Sequence, residues 1–190
     1  MAVKTQHDTT NQNTWFITFT NHSWIPLFEI TSSYDLVYKW LKLIDNNYGV
    51  RTLDFVIMPN HAHLLLKLPG GDIDLNKLIG NGKRFMAYEI VKRLDKMGRQ
   101  DVLIKLSSDC TVRERAKGQK HKAFEKSFDA KPVYSMDFLN QKLDYIHHNP
   151  VNGKWSLCGD FVDYEHSSAA FYELERPHPL ADITDYRLNW

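Results

Sequence analysis

Hydrophobic and polar positions alternate through "TWFITFT" at residues 14–20, a period of two that predicts a β-strand. The period lengthens to helical spacing over residues 33–49, "SYDLVYKWLKLIDNNYG", where Leu36, Trp40 and Leu43 share a face and a glycine ends the run. "RTLDFVIM" (51–58) predicts a second strand, turned at "PN" into a third, "HAHLLLKL" (61–68). Residues 72–98 predict a long helix, with the "GNG" at 80–82 a point where it can break. Residues 100–122 are polar and basic without a clear period and read as loop or short helix. A fourth strand is expected within 122–135. A final helix is expected over 136–149, stopped by Pro150, because proline disfavours the helical conformation in the residue before it. The order βαββαβα predicts an α+β fold, an antiparallel sheet with helices packed on it. No repeat, low-complexity tract or linker divides the chain, so one domain over residues 1–190 is expected.

One feature departs from this pattern. In the third strand His61, His63, Leu65 and Lys67 share one face, while Ala62, Leu64, Leu66 and Leu68 make an apolar face directed at the core. Two imidazoles on one strand face are either half of a metal site or a pair of polar, solvent-facing histidines; spacing alone leaves both open. The last helix offers a second polar pair. Leu139, Leu143 and Ile146 form its apolar stripe, and Tyr145 and Asn149 lie together one turn apart on the flank. By themselves they also fit a packing tyrosine and a turn-forming asparagine.

Composition narrows the class. Ten Phe, nine Tyr and five Trp exclude a largely disordered chain. The two cysteines, Cys110 and Cys158, are far apart and make no redox or metal-type pair, which suggests a reduced, cytoplasmic protein. The polar N-terminus lacks a signal-peptide core, and no apolar run is long enough to cross a membrane. The net charge of +1 hides a strong asymmetry. Residues 83–131 hold fourteen Lys/Arg against seven Asp/Glu, net +7, and residues 132–190 hold four against nine, net −5. A basic middle beside an acidic tail is consistent with a polyanion partner or with a solvated helical surface.

Taken together, "MPNHAHLL" and "YIHHNPV" resemble the motifs of the HUH-type single-tyrosine transposases, the enzymes of single-strand insertion sequences and especially their REP-associated relatives. HUH denotes His, a hydrophobic residue, His; Ala62 fills the middle here. "KRF" at 83–85 falls where that family has a basic helix, and "DYEHSSAAFYE" at 163–173 is similar to its Ser-Ser-Ala segment. The resemblance covers residues 14–173, is weak over 98–122, and leaves an unmatched C-terminal extension from about residue 174.

The resemblance implies a ferredoxin-like HUH endonuclease fold, with His61 and His63 as metal ligands and Tyr145 as nucleophile. It puts Asn149, one turn past the tyrosine, as third ligand, with His148 as the alternative. Two imidazoles and an amide oxygen suit Mg²⁺ or Mn²⁺, the nitrogens favouring Mn²⁺. The expected activity is cleavage and rejoining of single-stranded or hairpin DNA through a 5′-phosphotyrosine. Phosphate contacts are expected from the basic segment, through Lys83, Arg84, Arg113 and Arg115. The same family reading keeps open a binding module without cleavage, a nicking relative and a possible homodimer. The acidic extension either masks the site or packs on the sheet, and packing through Tyr186, Leu188 and Trp190 as apolar anchors is the expectation.

Overall fold

A computed structural model describes residues 13–153 and 155–189. The chain runs β1 (Thr14–Thr20), a short 3-10 turn (His22–Trp24), α1 (Leu27–Ile30), α2 (Tyr34–Tyr48), β2 (Arg51–Met58), β3 (His61–Lys67) and α3 (Leu75–Lys96). It continues through α4 (Gln100–Ser108), α5 (Val112–Ala116), β4 (Asp129–Pro132), α6 (Met136–His148), a 3-10 turn (Phe161–Asp163), α7 (Ala169–Glu173) and α8 (Tyr186–Asn189). The strands form one antiparallel sheet in the order β2-β3-β1-β4. The expected α+β architecture is the one observed.

The strand carrying the histidines is an inner strand, flanked on both sides by hydrogen-bonded neighbours. Its even-numbered face, Ala62, Leu64 and Leu66, joins Ile17, Phe19, Phe55 and Ile57 in the main core beneath α2, α3 and α4. A second, smaller core fills the other face: Phe16, Leu53, Val56, Met58 and Leu65 meet Leu139, Leu143 and Ile146 of α6. The apolar stripe of α6 is therefore where its spacing put it. Ser135 caps the start of α6 by accepting from the Phe138 N–H, and Pro150 follows its end.

Local chemistry explains where the expectations failed. The "GNG" does not break α3, because Gly82 lies where the helix crosses Trp40 of α2; a Cβ there would come within 2.5 Å of the indole. Residues 100–122 are largely ordered as α4 and α5. The three buried residues of α4, Val102, Leu103 and Leu106, pack into the main core, but nine residues are too few for that period to stand out. The fourth strand is only four residues long and lies at the sheet edge. In the acidic extension Tyr186 packs on the smaller core, Leu188 is 83% exposed and anchors nothing, and Trp190 lies outside the described residues.

Candidate active site

The sheet register sets the floor of the site. His63 stands opposite Thr18 on β1 and Val56 on β2; His61 stands opposite Thr20 and Met58. Because α6 covers this face, the histidines are buried, at 6% exposure for His61 and 4% for His63, not directed into solvent. His63 Nδ1 meets Thr18 Oγ1 at 2.7 Å, and its ring stacks on Phe16 with centroids 5.6 Å apart. Burial, aided by the neighbouring His61 and Lys142, holds the His63 imidazole well below its ordinary pKa, so the ring is neutral at neutral pH. Its Nε2 is buried with no hydrogen-bond partner among the described residues. A buried polar atom left unpaired is costly, and with the ring proton on Nδ1, donated to Thr18, the Nε2 lone pair is one that a cation would complete.

A buried amide orients the other histidine. Asn60 Nδ2 donates to the Trp24 carbonyl at 3.0 Å, so the oxygen of that amide is the end that meets His61 Nδ1, at 2.7 Å. A carboxamide oxygen only accepts, so His61 carries its proton on Nδ1 and its lone pair on Nε2. This is the arrangement that metal-ligating histidines adopt through their outer-shell partners. The two rings lie 4.7 Å apart, centroid to centroid.

From α6, Tyr145 brings its ring edge-on to His63, with centroids 4.9 Å apart, and remains 47% exposed. Lys142, one turn earlier, holds its ammonium 4.9 Å from the Phe16 ring, 4.9 Å from Phe138 and 5.7 Å from Tyr145. Burial, and after it the nearby Lys131, lowers the Lys142 pKa. A cation thus stands beside the tyrosine. Asn149 follows α6 at its C-terminal boundary, half-buried, with no side-chain hydrogen bond among the described residues. His148 is engaged elsewhere: its Nδ1 lies 3.0 Å from the Asp144 carbonyl, and its ring packs on Phe161 at 4.3 Å. Among the described residues no group of three or more His, Cys, Asp and Glu side chains is placed to hold a metal.

A buried polar cluster fastens α6 to the sheet. A bulge between Thr52 and Asp54 pairs Asp54 with Leu65, so the acid faces the α6 side, fully buried. There Asp54 Oδ1 accepts from the Ser168 hydroxyl and lies 3.3 Å from His147 Nε2. Burial pulls the His147 pKa down, but the charge and hydrogen bond of Asp54 outweigh it and the net shift is upward. Ser168 belongs to the returning segment that runs along the open edge of β2: Ile57 N–H donates to the His166 carbonyl and Ser168 N–H to the Phe55 carbonyl. These contacts give the Ser-Ser-Ala segment a structural role. The signal was visible in the sequence as a lone acid inside the apolar "RTLDFVIM".

The expected phosphate contacts divide. Lys83 is only 8% exposed; its ammonium donates to the carbonyls of Lys126 and Ser127 at 3.1 Å each, so it is not presented at the surface. Arg115 is exposed, but its guanidinium donates to the Cys110 and Ser107 carbonyls at the end of α4. Arg84 and Arg113 are exposed, and Arg84 bonds Asn81 on its own helix at 3.3 Å.

No family model and no curated protein matches the chain. Its fold matches a solved REP-associated tyrosine transposase bound to a REP hairpin, with a TM-score of 0.61 and 18% identity, over 97% of this chain and 94% of that one. A candidate transposase from Deinococcus radiodurans R1 aligns with a TM-score of 0.38 and 12% identity, over 76% of this chain and 95% of that one. The chain has the fold of the REP-associated enzyme, an antiparallel four-stranded sheet packed against helices. Among the described residues no helix is long and apolar enough to cross a membrane.

Proposed function

We propose that this chain is an HUH-type single-tyrosine transposase of the REP-associated kind, cleaving and rejoining single-stranded or hairpin DNA. The observation that carries the reading is the placement of Tyr145, half-exposed and 4.9 Å from the ring of His63, whose buried Nε2 has no partner among the described residues. The shared fold with a hairpin-bound REP-associated transposase supports the same substrate class.

In this reading the Tyr145 hydroxyl oxygen attacks the scissile phosphorus in line with the bond to the 3′ oxygen. The new bond joins phosphorus to tyrosine, and the bond to the 3′ oxygen breaks. The phenolic proton is released to solvent, and the departing oxygen takes up a proton to become a 3′-OH. The phosphodiester energy is kept in the tyrosyl ester, so a 3′-OH from another strand can attack it and restore the backbone without a cofactor for energy. Lys142, beside Tyr145, offsets the charge of the phosphate entering the site. Asn60 holds His61 in its ligand tautomer, and Thr18 holds the His63 ring in place through Nδ1. A divalent ion, Mg²⁺ or Mn²⁺, held by His61, His63 and the Asn149 amide, would polarise the scissile phosphate as a Lewis acid.

The test is cleavage of single-stranded and hairpin oligonucleotides by the purified protein with Mg²⁺ or Mn²⁺ and with excess chelator. Cleavage is expected only with metal. His63→Ala should abolish it while leaving DNA affinity within about two-fold, because the metal acts on the scissile phosphate and adds little to general affinity. Full-rate cleavage in chelator would contradict the metal role, and DNA binding without cleavage under any metal would leave a binding module.

A further inference from the structure

Trp24 belongs to neither core, although it is among the largest apolar side chains in the molecule. Its indole is 59% exposed and meets His61 edge-on, with ring centroids 5.7 Å apart. The backbone that presents it is unusual. Ser23 and Trp24 both have positive φ, 52° and 57°, a region that non-glycine residues occupy only where their surroundings impose it.

The surroundings do so here. His22 is gripped on both ring nitrogens, Nδ1 by Glu125 at 2.8 Å and Nε2 by Asp109 at 2.9 Å, and the Ser23 N–H donates to the same Glu125 oxygen at 2.9 Å. The Trp24 N–H donates to the Asn21 carbonyl at 3.2 Å, and its carbonyl accepts from Asn60. Asn60 is wholly buried, and its other end sets the His61 tautomer. One amide therefore ties the tryptophan to the histidine it adjoins. A rigidly held, exposed indole at the lip of a polar site is poorly explained by packing, and it matches the chemistry of an unpaired nucleobase, whose π-face stacks on aromatics whatever its sequence.

We infer that Trp24 is a stacking platform for one unpaired base of the DNA strand, next to the phosphate that enters between His63 and Tyr145. The inference rests on the DNA-processing reading above and adds a positioning residue to it. The indole fixes where the strand lies along the site, and so which phosphate reaches Tyr145.

The experiment uses the full chain and the single-stranded oligonucleotide that the wild type binds best from a random pool, together with copies of it carrying one abasic site at each position in turn. Affinity should fall about ten-fold in Trp24→Ala, the size of one aromatic–base stack, and recover in Trp24→Phe. In the wild type one abasic position should cost a similar factor, and that same position should cost nothing further in Trp24→Ala. Unfolding temperature should be nearly unchanged in both variants, because the side chain is outside the cores. Equal losses at every abasic position, no loss in Trp24→Ala, or failure of Trp24→Phe to recover would each overturn the inference. Adduct formation by the wild type, scored in parallel, separates the two claims. Adduct without the Trp24 pattern refutes only the platform, and the pattern without adduct refutes only the cleavage chemistry. A wild type that selects no DNA at all refutes both.

Discussion

Lys83 places a charge where burial disfavours it. Removal from water lowers its pKa from the usual 10.5 to about 8, although Glu125 pulls the other way. Because the folded value lies below the unfolded one, the unfolded chain binds the extra proton between those values, and stability rises with pH across that window. At about 1.4 kcal/mol per pH unit, the rise amounts to at most about 3.5 kcal/mol. Lys83→Met should lack that rise when denaturant unfolding is compared at pH values on either side of the window. Equal pH dependence in the two proteins would mean that the ammonium stays hydrated. A basic residue beside an arginine in a basic segment reads naturally as a phosphate contact. Its burial depends on Lys126, Ser127 and Phe128, more than forty positions away, which no local pattern reveals.

Elements were more legible than single residues, because strands and long helices write their period over many positions. β1 falls where alternation put it, β2 falls where its strand-forming run put it, and α2 ends at Gly49, which takes the left-handed conformation expected of a C-terminal cap. The two glycines of α3 look alike in sequence but differ in what they face. Gly82→Ala would drive a Cβ to 2.5 Å from Trp40 and should destabilise by about 1–3 kcal/mol. Gly80→Ala meets nothing within 4 Å and should stabilise by about 0.5–1 kcal/mol, by removing backbone entropy from the unfolded chain. Thermal unfolding of the two variants should shift in opposite directions; shifts of the same sign would refute the close crossing of α3 over α2.

For the molecule as a whole, the near-zero net charge conceals a basic surface that folding only partly exposes. Arg84 and Arg113 are open to solvent, Lys83 is not, and Arg115 caps a helix. In the DNA-processing reading, replacing Arg84 or Arg113 with Ser should lower the slope of log affinity against log salt by about 0.7 for each lost contact with a single strand. Lys83→Met should leave that slope unchanged. An equal effect at Lys83, or none at the arginines, would move the phosphate path elsewhere. The halves of the candidate site were legible as two short motifs eighty-odd residues apart, because strand alternation and helical spacing fix which side chains share a face. Their meeting, and the parts played by Thr18, Asn60, Asp54 and Ser168, follow from sheet register and the returning edge segment, which are long-range facts. The central claim is that Tyr145 takes the DNA covalently, and mass spectrometry of protein incubated with DNA under denaturing conditions tests it most directly. An adduct is expected on the Tyr145 peptide carrying the 5′-phosphoryl side of the break, and none in Tyr145→Phe, whose fold and DNA affinity should be unchanged. An adduct on another residue, or one that persists in Tyr145→Phe, would contradict it.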